Sequence, residues 1–215
     1  VHSSCSDNKL LAINHALSDL YTLSHVALTE LLDPATTSAS LLDGPEQHPL
    51  LTSLYFGDAK RPNSMATAVG FFTMILLRDK QGLLLRCDDP DGKCKEHSDW
   101  AGHWRGDENP GETVICDRSF TGQQETTTDN ASTGPPRKFL DDVCLNGWTL
   151  SESRPEVFWS TDLIHRFLHL PYISGGQSLH AAKAYPNALH LGRLEPELAA
   201  MNVANLQYFA LDVYA

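Results

Sequence analysis

The chain has 215 residues and carries 16 lysines and arginines against 27 aspartates and glutamates, a formal net charge of −11. This length is enough for one domain with a hydrophobic core. The acidic balance argues against nucleic acid or an anionic membrane as a partner. No apolar run approaches the roughly 20 residues that a membrane-spanning helix needs.

Taken in chain order, the hydrophobic periodicity predicts a small sheet beside a helical body. Helices are predicted over residues 7–33, 64–79, 137–143, 155–170, 178–189 and 195–214. Strands are predicted over residues 83–87 and 112–116. Residues 97–111, between the two strands, are expected to form a loop that Trp100 and Trp104 pack down, with His103 as an alternative extra metal ligand.

The stretch from residue 158 to 170, FWSTDLIHRFLHL, carries two histidines four positions apart on an apolar predicted helix. This spacing places His165 and His169 on one helical face, as in helices that offer two imidazoles to one zinc ion. The motif HRxxH differs from the HExxH of zinc peptidases at the residue that acts as the general base. Arg166 stands there, and a guanidinium cannot accept a proton. The motif predicts zinc binding without hydrolysis, with two partly buried structural histidines as the alternative.

A third ligand is expected after the helix. Pro171 ends the helix, a turn with Gly175 and Gly176 follows, and a hairpin of this length folds His180 back over the two histidines. His190 is the competing third ligand. Three histidines would leave one position of a tetrahedral zinc site open.

Two more side chains are candidates for a catalytic role. Tyr185 could point its hydroxyl at the open position, although most tyrosines at such positions are core or surface residues. Asp162 lies on the same helical face as the histidines, and its predicted role is an i, i+4 ion pair with Arg166. The alternatives for Asp162 are to orient a ligand imidazole or to act as a substitute base.

The cysteines and one sequon favour an extracellular protein. The five cysteines lie beside turn residues and form no CxxC pair, which is typical of disulfides rather than of a thiolate zinc site. A glycosylation sequon stands at Asn130 in a polar segment. Because Val1 is not an initiator methionine, a signal segment is expected to have been removed. These features predict secretion, to the medium or the cell wall.

Six blocks in the same order resemble the fungal HRxxH family, which includes a secreted allergen and a secreted zinc-scavenging antigen. The blocks are VHSSC, LRCDDPDGKC, GHWRG, TVICDRSF, FWSTDLIHRFLHLP and LQYFALDVYA. The family is similar in turn to the aspzincin, or deuterolysin-type, metallopeptidases. The resemblance implies a single zincin-like α+β domain over residues 1–215, mostly helical with a small antiparallel sheet. Loop inserts at about 35–48 and 121–134 lie outside the pattern.

The resemblance also implies zinc as the cofactor and His165, His169 and His180 as its ligands, with Tyr185 matching the tyrosine that follows in the family. One departure is Leu179, since relatives often carry an acidic residue just before this histidine.

Disulfide pairings are implied as well. Cys5 would pair with Cys87 and Cys94 with Cys116, while Cys144 would pair with a cysteine beyond the end of this chain.

Three functions are consistent with these features. The first is a secreted fungal zinc-binding protein of the zincophore or allergen type, with little or no peptidase activity because Arg166 replaces the general base. The alternative is a secreted zinc metalloendopeptidase whose base is Asp162 or a carboxylate from another segment. The third is an adhesion surface for host or cell-surface proteins, in which the metal only stabilises the fold.

Overall fold

The computed structural model describes residues 1–33, 51–57, 62–121, 137–143, 150–151 and 154–215. The insert at 35–48, all but the first residue of the insert at 121–134, the sequon at Asn130 and Cys144 lie outside these residues. No described helix is both long enough and apolar enough to cross a bilayer.

The described residues form many helices and one small sheet, which confirms the predicted α+β class. The helices are α1 Asp7–Leu32, α2 Leu51–Phe56, α3 Pro62–Leu77, α4 Lys93–Glu96, α5 Arg118–Thr121, α6 Trp159–His169, α7 Pro171–Ser174, α8 Tyr185–Leu194, α9 Pro196–Met201 and α10 Val203–Tyr214. The strands are β1 Leu84–Arg86, β2 Gly102–Trp104 and β3 Glu112–Ile115. Short 3-10 helices cover Leu140–Asp142 and Pro155–Val157.

The sheet has the strand order β1-β3-β2 and is mixed. Strand β1 runs parallel to β3, with Leu84 opposite Glu112, and β2 runs antiparallel to β3, with Gly102 opposite Ile115. The expected antiparallel arrangement therefore holds only for β2 with β3, whereas the two strands predicted from the sequence, β1 and β3, pair in parallel. Strand β2 also falls in the segment predicted as a loop, because three residues flanked by turn residues leave too little alternation to identify a strand.

The core is built where α1 packs against α3, α6 and α10. Its fully buried side chains include Leu20, Ile75, Leu163 and Phe209. Helix α6 is buried on every side, since all its residues are buried except His165 and His169. The two histidines are therefore the only residues of α6 that are half-buried rather than buried.

Three of the predicted helices have different limits in the structure. The helix expected from residue 178 begins at Tyr185, where Pro186 sits in the first turn and sets the helical φ angle in advance. The helix expected over 195–214 is interrupted at Asn202, which is extended. Residues 137–143 hold only a one-turn 3-10 helix, and Lys138 instead pairs as an isolated bridge with Phe158, just before α6.

Two disulfides join the sheet to its surroundings, with the pairing that the family resemblance implies. Cys5, just before α1, is bonded to Cys87 at the end of β1. Cys94 in α4 is bonded to Cys116 at the end of β3.

Candidate metal centre

The structure brings together three histidines, His165, His169 and His180, which we call the imidazole cluster. One ligand nitrogen from each lies within 4.8 Å of the other two. The ring centroids are 4.7, 5.0 and 4.9 Å apart. The first two rings stand one turn apart on α6, and the third reaches them from the segment between α7 and α8, as the sequence predicts.

The geometry and protonation of this cluster fit a zinc ion. The Nε2 atoms of His169 and His180 face each other at 2.9 Å, close to the separation of about 3.3 Å for two nitrogens on a tetrahedral zinc. Burial, together with the neighbouring His165 and His180, lowers the pKa of His169 to about 4. Burial also lowers the pKa of His180. Both rings are therefore neutral at pH 7, which is the form that binds a metal.

His180 is held in place by backbone pairing rather than by a helix. The backbone of Leu179 bridges to Asn202 through hydrogen bonds of 2.8 and 2.9 Å to Met201 and Val203. The fully buried Asn202 side chain accepts the N–H groups of Ala181 and Ala182 at 2.9 and 3.2 Å. The amide that interrupts the last predicted helix thus fixes the segment that carries His180.

A carboxylate that the motif analysis did not identify lies behind His165. Glu156 Oε1 is 3.6 Å from His165 Nδ1. Burial would raise the pKa of Glu156, but its hydrogen bond to His165 and the attraction between the two groups hold this pKa below the ordinary value. A carboxylate on Nδ1 orients the ring and leaves Nε2 for a metal. The only sequence signal was an acidic residue in the first turn of the helix predicted from Pro155.

Next to the histidines lies a second cluster of titratable side chains, Arg137, Asp162 and Arg166, which we call the guanidinium cluster. Asp162 Oδ2 accepts from Arg166 Nε at 2.6 Å, and Asp162 Oδ1 lies 2.9 Å from Arg137 Nη2. All three residues are buried. Arg166 also donates to the carbonyl oxygen of Val114 in β3 at 3.1 Å.

Asp162 compensates part of the positive charge of the guanidinium cluster. Burial would raise the pKa of Asp162, but Arg137 and Arg166 hold it below its ordinary value. Burial lowers the pKa of Arg137 to about 10, against the attraction of Asp162. The predicted i, i+4 pair of Asp162 with Arg166 is present, and with both of its oxygens engaged Asp162 is a poor substitute base.

Gly102 in β2 makes room for Arg166. A Cβ atom at this position would lie 2.1 Å from Arg166 Nη1 and 2.1 Å from the Val114 carbonyl oxygen. The glycine therefore allows the guanidinium to reach the backbone of β3, and the position that holds glutamate in HExxH is tied to the sheet.

Tyr185 lines the same cavity as the histidines, but its hydroxyl is engaged elsewhere. It is hydrogen-bonded to the buried Tyr55, whose hydroxyl donates to Asp212 Oδ2 at 2.9 Å. The ring of Tyr185 packs edge-on against Tyr208 at 5.3 Å. Burial raises the pKa of Tyr208, which also lines the cavity, to about 12. Both tyrosines are therefore protonated at neutral pH.

The other histidines considered as ligands lie outside the imidazole cluster. His103 is buried, its Nε2 is 2.9 Å from Asp91 Oδ1, and its Nδ1 is 4.0 Å from Cys94, which is in a disulfide. His190 is exposed on α8 and belongs to none of the groups of metal-binding side chains found among the described residues.

The imidazole cluster opens into a cavity of about 1140 Å³. Strand β2, the start of α8 and one face of α10 contribute to its walls, and both clusters reach it. Among the described residues that line it, six are cationic, namely Lys93, Arg118, Arg137, Arg154, Arg166 and Lys183. Three are acidic, namely Asp99, Glu156 and Asp162.

Comparisons with known proteins agree with this geometry. The profile of the HRXXH family, described as a putative peptidase family, matches residues 1–215. The chain is 34% identical over 215 residues to Antigen 1 of Emericella nidulans, and 33% identical over 215 residues to the major allergen Asp f 2 of Aspergillus fumigatus. It is 38% identical over 161 residues, 75% of the chain, to the pH-regulated antigen PRA1 of Candida albicans.

These three relatives are longer proteins, since the matches span 67%, 60% and 48% of their lengths. Among solved structures, a zinc peptidase from Grifola frondosa matches with a TM-score of 0.57 over 97% of both chains, at 14% sequence identity. This likeness confirms the zinc-peptidase type of fold that the sequence predicts.

Proposed function

Because the chain belongs to the HRXXH family, we propose that it is a secreted zinc-binding protein that captures zinc with His165, His169 and His180 and has little or no peptidase activity. The observation that carries the proposal is the convergence of three ligand nitrogens within 4.8 Å, two from the half-buried histidines of α6 and one from the exposed His180. Three imidazoles are a common donor set for zinc and leave one position open. The two disulfides are compatible with the extracellular location.

The proposed loss of hydrolysis follows from Arg166. Zinc can polarise a carbonyl group and lower the pKa of water to about 7, but peptidases of this type also need a positioned base. Removal of a general base commonly costs about 10² to 10⁴ in rate. Arg166 is a cation fixed by Asp162 and Val114, and Asp162 is neutralised by two guanidinium groups. Neither side chain can replace the glutamate.

The test of zinc capture is a competitive titration of the parent, His169→Ala and His190→Ala. We expect the parent to bind about one zinc per chain. His169→Ala should lose more than about 10² in zinc affinity, because removing a ligand should lower the affinity more than removing a residue that only supports a ligand. His190→Ala is the matched control from outside the cluster and should bind as the parent does. Equal affinity in all three proteins would refute the three-histidine site.

A second function, zinc endopeptidase activity, is favoured by one observation. Glu156 brings a carboxylate from another segment into the same cavity, 3.6 Å from His165. If Glu156 acts as the base, the parent should cleave an unfolded protein substrate in a zinc-dependent way, and Glu156→Gln should abolish cleavage without abolishing zinc binding. Its position on Nδ1 of a proposed ligand favours the supporting role instead.

A further inference from the structure

The cavity around the imidazole cluster carries a charge opposite to that of the chain. The whole sequence has 16 cationic and 27 acidic side chains, yet the described residues that line the cavity include six cationic and three acidic ones. Capture of a bare cation gives no reason for this reversal, because cations at the rim repel it. The lining suits a ligand with negative charge.

The cations of the cavity fall into two groups, apart from Arg118, which donates to the carbonyl oxygen of Ser98 at 3.3 Å. Arg137 and Arg166 are buried and share Asp162 as their ion-pair partner. Lys93, Arg154 and Lys183 form a second group, which we call the rim cations, and within the described residues none of them has an ion-pair partner. Arg154 and Lys183 are exposed, and Lys183 is close enough to His180 to help lower its pKa.

The size and surface of the cavity narrow the class of ligand. A volume of about 1140 Å³ far exceeds what one ion and its water occupy. Two indole rings, those of Trp100 and Trp104, line it as well, and Trp100 is 38% exposed. A long polyanion such as nucleic acid would also meet the net negative charge of the whole chain. A short peptide senses mainly charges within a Debye length, about 8–10 Å.

We propose that this cavity binds a short acidic peptide, with the rim cations and the zinc held by the imidazole cluster as its positive contacts and the two indoles as its apolar wall. This inference rests on the proposed function, because the zinc ion held by the imidazole cluster is one of the positive contacts. The partner would be an acidic segment of another protein, and small anions such as phosphate would bind more weakly because they reach neither indole.

The experiment measures zinc and peptide separately. Zinc affinity is titrated first, and this titration alone decides the proposed function. The zinc-loaded and zinc-free proteins are then titrated against a short labelled peptide rich in glutamate, and against the matched peptide with glutamine at each glutamate position, by fluorescence anisotropy. We expect the acidic peptide to bind the zinc-loaded parent more tightly than the glutamine peptide, and to bind more weakly at high salt.

Two double variants test the rim cations. Arg154→Gln with Lys183→Gln should weaken the acidic peptide about fivefold to tenfold, as expected for two exposed ion pairs, and should leave zinc affinity within about twofold. Lys95→Gln with Arg193→Gln is the matched control, because both residues are exposed and lie outside the cavity lining. It removes the same charge from α4 and α8 and should bind the peptide as the parent does.

Three results would overturn the inference: equal affinity for the acidic and glutamine peptides, equal weakening by the two double variants, or equal affinity of the zinc-loaded and zinc-free proteins for the acidic peptide. If zinc bound with full affinity in the same samples, the proposed function would stand while the peptide proposal failed. If the parent bound no zinc, the first titration would identify the proposed function as the part that failed.

Discussion

The imidazole cluster and the guanidinium cluster share helix α6 and one cavity, but the guanidinium cluster consists of charged groups and the imidazole cluster contains neutral rings. In the guanidinium cluster, two cations and one carboxylate are buried and bonded to each other and to β3. In the imidazole cluster, two ring nitrogens face each other at 2.9 Å and burial favours the neutral rings. The side chains of the guanidinium cluster are already paired with one another, whereas the imidazole cluster is complementary to a cation. Arg166, at the position of the peptidase base, belongs to the guanidinium cluster.

The largest effect should come from breaking the guanidinium cluster. Asp162→Asn leaves Arg137 and Arg166 buried without a countercharge, so we expect a loss of about 3–5 kcal/mol in the free energy of unfolding. Denaturant titration of the zinc-free protein measures this. Asp99→Asn, at an exposed cavity residue, should cost less than about 0.5 kcal/mol. An unfolding free energy of Asp162→Asn close to that of the parent would contradict the ion pairing assigned to the guanidinium cluster.

The support of His180 can be removed without touching a ligand. Asn202→Ala leaves the buried N–H groups of Ala181 and Ala182 without their acceptor, which should cost about 2–4 kcal/mol in unfolding free energy and lower zinc affinity. Asn202→Asp keeps the acceptor but sets a buried carboxylate against the Ala182 carbonyl oxygen and Asn205 Oδ1, to which the amide donates, so it should recover neither loss. The exposed Asn187→Ala is the control. Unchanged zinc affinity in Asn202→Ala would show that the Leu179 bridge alone positions His180.

Glu156 should affect zinc affinity rather than folding. Its removal in Glu156→Ala frees the His165 ring from its carboxylate, and we expect zinc affinity to fall by about tenfold to a hundredfold. Glu156→Gln retains an acceptor for Nδ1–H and should lose less. Competitive zinc titration gives both values, with the exposed Glu197→Gln as control. Zinc affinity in Glu156→Ala equal to that of the parent would show that Glu156 does not support His165 as a ligand.

The last prediction concerns pH. The pKa of His169 is about 4 in the folded chain, below the value of about 6.5 in an unfolded one. Between these values the unfolded state binds more protons, so the zinc-free protein should lose stability as pH falls from about 6.5 toward 4. His169→Gln removes this contribution, and its denaturation midpoint should fall less over the same window. A steeper fall in the variant than in the parent would contradict the lowered pKa.

The sequence predicts the imidazole cluster better than its surroundings. His165 and His169 follow from a four-residue spacing, and His180 follows from a turn of suitable length, because both are local features. Arg137, Glu156 and Asn202 reach the site through tertiary contacts, so no spacing identifies them. Strand β2 was missed for the same reason, since only its pairing with β3 makes those three residues a strand.

The central claim is that zinc is bound by three imidazoles. Zinc-edge X-ray absorption of the loaded protein tests it most directly, because it reports ligand type and distance together. We expect three histidine nitrogens at about 2.0–2.1 Å and one further light-atom ligand, with no sulfur, and one histidine fewer in His180→Ala. Sulfur at about 2.3 Å, or an unchanged spectrum in His180→Ala, would contradict the three-histidine site.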